Sequence, residues 1–351
     1  MDQVINVLPT GVELGFGKFY APLMIEANYA NGAWGAFELK KLMPLALHPG
    51  SRVLHYAQEI FEGLKVYKQS EKEFILFRPE ENIKRMTKSA EMMAMPPFDE
   101  GEFLNAMLVL VHELKHLVPS EPGSLYLRPT MIGVSEALGV APATEYKFYI
   151  LASPTGGYFG GLEKGIPATI NVHVTAEHVR AVRGGVGAAK TGANYAASLL
   201  AVTKAKKMGY SNVLFLDAIL QKNIEELSGM NIFIYADGVL RTPILGDTIL
   251  DGVTRKSILT LAKKAGIKTL EEDISIDTLY HYAGKTNSDL EVFACGTGAS
   301  VAAISELNYK NKKITIAGAK PGIITTKLYN DLLDLQFGRN QKDFKEWRVL
   351  I

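Results

Sequence analysis

Three groups of residues in this sequence have side chains and spacings that could support chemistry. The first, His112-Glu-Leu-Lys-His116, matches the pattern in which two imidazoles on one helix face bind zinc and the glutamate acts as a base. The same residues form the polar face of a predicted amphipathic helix at 102–118, opposite Leu108 and Val111. Pro119 ends that helix, and no obvious third ligand follows it. We therefore predict no metal site.

The second group, Gly184-Gly-Val-Gly-Ala-Ala-Lys-Thr191, partly matches a phosphate-binding loop. In that pattern a glycine precedes the lysine so that the backbone can wrap the phosphates, whereas this chain has Ala189. The preceding residues, 177–183, are polar and do not predict the strand that such a loop follows. ATP binding therefore remains only an alternative for this segment.

The third candidate is Lys190 itself, which follows glycines and alanines and precedes Thr-Gly-Ala-Asn-Tyr195. Small neighbours allow a lysine to be buried, and burial lowers the pKa of an amine. The neutral amine is the nucleophile that forms a Schiff base. A surface lysine in a glycine turn explains the same spacing, so both interpretations stay open here.

Composition restricts the class of protein and the partners. The chain has 351 residues, of which 47% are apolar and 21% charged, which is typical of a globular protein and excludes a disordered, collagen-like or coiled-coil chain. Two domains are expected at this length. Because 38 Lys and Arg balance 37 Asp and Glu, we expect small-molecule partners and neither nucleic acid nor a membrane.

The single cysteine, Cys295, excludes an internal disulfide and any cysteine-based zinc cluster, and it fits a reducing compartment. The N-terminal residues show no basic stretch leading into an apolar core, and no apolar run is long enough for a membrane span. We therefore expect a soluble, cytoplasmic protein.

The elements that must position these residues have an α+β order in the first half. A strand near Glu73–Phe77 leads into a helix that starts at Pro79, runs to about Met95 and leaves Arg85 off its apolar stripe. Alternation predicts a further strand at Ser124–Gly133, whose polar face gathers an aromatic hydroxyl, a guanidinium and a hydroxyl. The members of this polar face are Tyr126, Arg128 and Thr130.

A glycine-rich stretch, Pro154–Gly161, is the best candidate for an interdomain linker. We predict an N-terminal domain at 1–153, a linker at 154–171 and a C-terminal domain at 172–351. Within the last domain the pattern predicts strands near 168–174, 212–216 and 231–235, and helices near 196–208, 255–265 and 325–335.

Six blocks in this order make the chain resemble the branched-chain amino acid aminotransferases of fold type IV, nearly end to end. Each block alone is weak, but their order in a chain of this length is specific. The blocks are Phe16-Gly-Lys18 with Met24-Ile-Glu26, Ile60-Phe-Glu-Gly-Leu-Lys65, Leu125-Tyr-Leu-Arg-Pro-Thr130, Lys190-Thr-Gly-Ala-Asn-Tyr195, Glu226-Leu-Ser-Gly-Met-Asn231 and Gly252-Val-Thr-Arg255.

The resemblance implies a two-domain α/β (α+β) architecture, with a smaller N-terminal α/β domain and a larger C-terminal domain that has a β-barrel-like core. It implies that pyridoxal 5'-phosphate is the cofactor, that Lys190 forms its Schiff base and shuttles the substrate proton, and that Glu226 pairs with the pyridine nitrogen. Glu225 should point to the opposite strand face, so we expect one of the two to be buried and paired. The remaining implied cofactor residues are Tyr195 at the phenolic oxygen, and Arg85, Val253, Thr254 and Thr297 at the phosphate.

The resemblance also implies how substrates are bound. The α-carboxylate is expected at backbone amides near Gly229 and Gly298. A loop at Leu138-Gly-Val140 is expected to reach across a homodimer interface and close the partner's pocket, although it could equally pack within its own subunit. The side-chain pocket is implied to include Tyr56, Phe61, Tyr126 and Arg128.

Two departures limit the resemblance. Ala299 and Ala302 stand where some members have a cysteine pair, which excludes a thiol switch there, and Gly229 replaces a threonine. The implied activity is amino-group transfer from leucine, isoleucine or valine to 2-oxoglutarate. The alternatives are another fold type IV enzyme, a D-amino acid transaminase or aminodeoxychorismate lyase, and a non-catalytic or ATP-binding protein.

Overall fold

A computed structural model describes residues 3–157, 165–286 and 288–351. The chain forms two compact units, each with its own sheet. The predicted domain limits stay a prediction, and residues 158–164 of the predicted linker lie outside the described part. The first unit comprises Met1–Gly160, Ala189–Gly192 and Asp334–Ile351, and the second comprises Gly161–Ala188 and Ala193–Leu333.

The first unit is built on an antiparallel sheet. One face of this sheet packs against two helices, and the buried side chains include Ile60, Leu127, Phe148, Met86 and Leu110. Removing that apolar surface from water is the main stabilising contribution to the unit. The elements are β1 (Leu23–Ala30), β2 (Ala33–Trp34), β3 (Glu38–Lys41), α1 (Arg52–Tyr56), β4 (Glu59–Phe61), β5 (Leu64–Lys68), β6 (Phe74–Phe77), α2 (Pro79–Met92), α3 (Glu100–Leu114), β7 (Ser124–Gly133) and β8 (Tyr146–Thr155).

Local sequence explains the ends of the two long helices of this unit. Helix α2 has Pro79 in its first turn, where the missing N–H costs nothing, followed by acidic residues that favour the positive end of the helix dipole. Helix α3 begins after Asp99, whose carboxylate accepts the N–H of Glu102 at 2.7 Å. It ends at Leu114, earlier than predicted, and continues as a 3-10 turn at Lys115–Leu117.

The second unit contains a mixed sheet. Its elements are β9 (Ala168–Val174), α4 (Gly192–Lys207), β10 (Asn212–Leu216), β11 (Ile224–Leu227), β12 (Asn231–Ala236), β13 (Val239–Pro243), α5 (Val253–Lys264), β14 (Lys268–Glu272), α6 (Ile276–Ala283), β15 (Glu291–Gly296), β16 (Ser300–Tyr309), β17 (Lys312–Thr315) and α7 (Ile323–Gln336). The strand order runs from β11 through β10, β9, β16, β15, β12 and β13 to β14, with β17 beside β16. Strand β9 is parallel to both of its neighbours.

The C-terminal residues return to the first unit. Strand β18 (Arg348–Leu350) pairs with β6, where Val349 lies opposite Leu76. The guanidinium of Arg78 lies 4.1 Å from the centroid of the Trp347 ring, which fixes the chain as it enters that strand. Among the described residues, no helix is long and apolar enough to cross a membrane.

Candidate active site

The segment that carries Lys190 is held on the first unit through its backbone. The N–H of Lys190 donates to the hydroxyl of Ser89 at 2.9 Å, and its carbonyl accepts the N–H of Phe61 at 2.9 Å. Two residues later, the N–H of Gly192 donates to the carboxylate of Glu59 at 2.8 Å. These bonds fix the main chain on both sides of the lysine, so its side chain starts from a defined position.

Two cations share the ring of Phe61. The Nζ atom of Lys190 lies 4.8 Å from the ring centroid, and the Cζ atom of Arg128 lies 4.7 Å from it. The face of an aromatic ring attracts cations, so both side chains are oriented by the same group. Lys190 is partly buried, and its assignment as the Schiff-base lysine stays a prediction.

Arg85 is buried and forms an ion pair with the carboxylate of Glu62, a residue that the sequence analysis did not single out. Glu62 accepts from Nε of Arg85 at 2.7 Å and from its Nη2 at 2.8 Å. Asn82 and the N–H of Gly63 also donate to Glu62, at 2.7 and 3.0 Å. Burial alone would raise the pKa of the Glu62 carboxyl, but the guanidinium of Arg85, the charge of Lys190 and the Asn82 hydrogen bond together outweigh burial, and the pKa is lowered.

Helix α2 couples this ion pair to the lysine segment. Arg85 and Ser89 are four residues apart and so lie on one face of the helix. The hydroxyl of Ser89 donates to the carbonyl of Arg85 at 2.9 Å while accepting the N–H of Lys190. A polar residue within the apolar run Ile60–Leu64 was the signal in the sequence that could have identified Glu62.

Tyr126 and Arg128 share one face of β7, as the alternation predicts. Nη2 of Arg128 donates to the hydroxyl of Tyr126 at 3.0 Å, and the ring of Phe16 packs edge-on to Tyr126 with centroids 4.8 Å apart. Gly63 leaves room for this hydroxyl, since a Cβ atom there would lie 2.0 Å from it. Residues of three of the six sequence blocks, those that contain Phe16, Gly63 and Arg128, therefore lie together around Tyr126.

The Leu138 loop is fixed by its backbone and exposes its side chains. The hydroxyl of Tyr56 donates to the carbonyl of Leu138, and Arg52 donates to the carbonyl of Gly139. The side chains of Leu138 and Val140 are 70% and 85% exposed, so the loop does not pack them within its own subunit. Tyr56, which the resemblance implies lines the side-chain pocket with Phe61, forms a hydrogen bond with this loop.

In the second unit, Glu226 is a buried carboxylate on β11 with fixed partners. One oxygen lies 2.7 Å from Nη2 of Arg180 and accepts the N–H of Leu250 at 3.2 Å. The other oxygen accepts from the side-chain amide of Asn231 at 3.1 Å. Glu226 is 3% exposed, so the alternative of an exposed strand residue is wrong.

Arg180 was missed by the sequence reasoning, because nothing in its local sequence distinguishes it from Arg183. It is buried, and it also donates to the carbonyls of Gly187 and Thr248. Glu225 is buried as well, with burial raising the pKa of its carboxyl. The strand is thus covered on both faces, which alternation cannot reveal.

Three of the four residues expected at a phosphate, Val253, Thr254 and Thr297, lie at the start of α5 and in the turn between β15 and β16, whereas Arg85 lies in the first unit. A Cβ atom at Gly252 would lie 2.0 Å from Oδ1 of Asn231, so glycine is needed there. Val253 and Thr254 open the helix and are buried. Thr297 and Gly298 lie in the turn and are partly buried.

Gly229 borders Tyr195, which lies in the first turn of α4. A Cβ atom at Gly229 would lie 3.3 Å from Cε1 of Tyr195, so a threonine at this position would crowd the ring. Gly296 also approaches this point, since its Cβ would lie 3.5 Å from the Gly229 carbonyl. The departure from the family pattern therefore fits the packing of this chain.

The structure also describes the surroundings of the His112–His116 pattern and of Cys295. His112 and His116 are exposed, and α3 ends between them, so they do not share a helix face as zinc ligands require. The described ranges hold no cluster of three or more His, Cys, Asp or Glu residues suited to a metal ion. Cys295 is buried, which raises the pKa of its thiol to about 12.

The family model for amino-transferase class IV matches residues 59–307, which is most of the chain. This protein is a class IV aminotransferase. Branched-chain-amino-acid transaminase 1 of Bacillus subtilis (strain 168) is 43% identical over 344 residues, covering 97% of this chain and 95% of that protein. The resemblance drawn from the six blocks is thereby confirmed.

Solved structures agree with the fold of this aminotransferase. Branched-chain amino acid aminotransferase of Escherichia coli matches with a TM-score of 0.76 and 27% identity, covering 92% of this chain and 98% of that one. The T.th. branched-chain amino acid aminotransferase complexed with N-(5'-phosphopyridoxyl)-L-glutamate matches with a TM-score of 0.74 and 26% identity, covering 92% and 97%. The predicted fold class, the two-domain fold type IV architecture, is confirmed.

The buried pair of this aminotransferase generates a stability prediction. Glu62→Gln leaves Arg85 without its anionic partner, and breaking a buried ion pair costs about 3 to 5 kcal/mol of unfolding free energy. In the exposed pair Lys68–Glu71, Glu71→Gln should cost less than about 1 kcal/mol. Urea denaturation of the two variants measures both costs.

The pH dependence of the Glu62→Gln effect has a defined sign. Because the folded-state pKa of Glu62 is lowered, its stabilisation is complete above the ordinary value of 4.5 and is lost as the pH falls through the folded value. The free-energy difference between wild type and variant should therefore shrink in acid. Equal costs for both variants, or a difference independent of pH, would contradict this account.

Proposed function

We propose that this aminotransferase transfers the amino group of leucine, isoleucine or valine to 2-oxoglutarate, using pyridoxal 5'-phosphate. The observation that carries the proposal is the 43% identity, over 97% of the chain, to a branched-chain-amino-acid transaminase. The local geometry supports it, because the matched residues are fixed by specific contacts in both units.

The donor set fits the chemistry of the cofactor. Pyridoxal phosphate presents an aldehyde, a ring nitrogen, a phenolic oxygen and a phosphate. Lys190 offers an amine, and the buried carboxylate of Glu226 offers an acceptor for a protonated ring nitrogen. Tyr195 offers a hydroxyl to the phenolic oxygen, while the N-terminus of α5 suits a phosphate. The phosphate residues are then Arg85, Val253, Thr254 and Thr297.

When bound, the cofactor supplies an electron sink that acidifies the Cα–H of the amino acid. The amine of Lys190 would take that proton from the substrate Cα and deliver it to C4′ of the cofactor, and its fixed backbone would make the transfer local. Glu226 holds a proton at the ring nitrogen, and Arg180 at 2.7 Å keeps this carboxylate in place. Without a proton on its nitrogen, the ring would withdraw electrons less strongly and the Cα–H would be less acidic.

The substrate side chain is proposed to lie on the polar face of β7. The guanidinium of Arg128 suits the distal carboxylate of glutamate, while the rings of Phe61 and Tyr126 suit a branched apolar chain. The α-carboxylate is assigned to backbone amides at Gly229 and Gly298, where glycine permits close approach.

A homodimer is proposed because the Leu138 loop exposes apolar side chains on a fixed backbone. Leu138 and Val140 would close the partner's side-chain pocket, while Tyr56, assigned with Phe61 to the wall of the substrate pocket, holds the loop backbone. Burying exposed apolar side chains favours such an association. Sedimentation equilibrium should give twice the chain mass of 38.4 kDa, and a monomer at micromolar concentration would contradict the proposal.

A half-reaction screen tests the proposed substrates. In an assay near neutral pH, the visible absorbance of the cofactor in the holoenzyme should fall when L-leucine, L-isoleucine, L-valine or L-glutamate is added. D-alanine and D-glutamate should leave the spectrum unchanged. A response to the D-amino acids alone would point to the D-amino acid transaminase alternative and contradict the proposal.

Glu226→Gln should slow deprotonation of leucine by at least about 100-fold while the protein stays folded, because an amide cannot keep the ring nitrogen protonated. Stopped-flow absorbance measures the rate, and circular dichroism checks the fold. The neighbouring buried carboxylate gives a matched control, since Glu225→Gln should change the rate by less than about tenfold. A reversed order of the two effects would refute the assigned role.

A further inference from the structure

Glu59 shares a sheet face with the proposed substrate residues, yet no role has been assigned to its charge. In the pairing of β4 with β7, Glu59 lies opposite Ile132 and Phe61 lies opposite Thr130. Side chains of paired residues point to the same face, and residues two apart on one strand do so as well. Glu59 therefore projects on the same face as Phe61 and Arg128.

The Glu59 carboxylate is held and partly buried at this place. Its Oε2 atom accepts the N–H of Gly192 at 2.8 Å, and a Cβ atom at Gly192 would lie 2.4 Å from it. Burial raises the pKa of Glu59, while the Gly192 N–H and the charge of Arg128 act in the opposite direction. Tyr149 on β8 also interacts electrostatically with both charged side chains.

The proposed reaction sets a specific problem for Arg128. One site must accept both the distal carboxylate of glutamate and the apolar side chain of leucine. A guanidinium whose charge no carboxylate offsets would favour dicarboxylate ligands. Desolvating that charge beside an apolar side chain would also cost binding free energy. A fixed carboxylate on the same sheet face as Arg128 reduces that imbalance without occupying the apolar surface of the rings.

We propose that Glu59 is a specificity-determining residue whose carboxylate offsets the charge of Arg128 and so weakens dicarboxylate binding relative to branched apolar ligands. This inference rests on the proposed function for its choice of ligands. It differs from the role of Glu59 as an acceptor for Gly192, which an uncharged side chain can also perform.

The variant Glu59→Gln separates the charge from the hydrogen bond, because its amide oxygen can still accept the Gly192 N–H. Glutarate and 4-methylpentanoate serve as unreactive probes, and calorimetry on the holoenzyme at pH 8 gives their Kd values. The variant should bind glutarate about fivefold more tightly, because a like charge has been removed near the bound carboxylate. Its Kd for 4-methylpentanoate should change by less than about twofold.

Glu26→Gln is the matched control. Glu26 lies opposite Tyr149 in the pairing of β1 with β8, so it projects on the same sheet face, but it is paired with Lys40 and Lys147. Its removal should leave glutarate affinity unchanged. Equal tightening by both variants, an unchanged glutarate Kd in Glu59→Gln, or equal changes for both probes would each overturn the proposal.

The two proposals fail in different ways. If the wild-type holoenzyme does not exchange amino groups between leucine and 2-oxoglutarate, the proposed function is refuted whatever the variant does. If wild type exchanges them and Glu59→Gln leaves the ratio of the two Kd values unchanged, the role of Glu59 alone is refuted.

Discussion

The backbone hydrogen bonds that fix the Lys190 segment to the first unit are the constraint on which the site depends. Ser89 binds the segment from α2, while Phe61 and Glu59 bind it from β4. A lysine side chain has several rotatable bonds, so its terminal amine can be placed reproducibly only if the main chain beneath it is fixed. The same three residues therefore position the lysine that is proposed to form the Schiff base.

Each unit contains a buried ion pair. Glu62 fixes the guanidinium of Arg85 in the first unit, and Arg180 fixes the carboxylate of Glu226 in the second. Buried pairs gain little net stability, because desolvation of both charges offsets their attraction. What these pairs provide is a defined position for a charge, which apolar packing could not supply.

The sequence was sufficient for elements whose signals are local. The strand at Ser124–Gly133 was predicted with its correct ends, because its side chains alternate, and α2 was predicted from its proline and acidic first turn. Lys190 and Glu226 emerged from blocks of adjacent residues. By contrast, the end of α3 was misplaced, since Leu114 continues into a 3-10 turn that periodicity does not distinguish.

The supporting residues could not be predicted in the same way, because their partners are distant in sequence. Glu62 and Arg85 are 23 residues apart, and Gly192 and Glu59 are 133 apart. Such contacts arise from the strand order, which no local pattern encodes. Arg180 and Glu62 became visible only when the fold placed a buried opposite charge beside each.

The central claim is that the fixed segment presents Lys190, and no other lysine, to the cofactor. Lys65 is the strictest competitor, because it is also buried in the first unit and burial lowers the pKa of its amine to about 8. Borohydride reduction of the holoenzyme followed by peptide mapping tests the claim directly. The account predicts the reduced pyridoxyl group on Lys190, and label on Lys65 or any other lysine would contradict it.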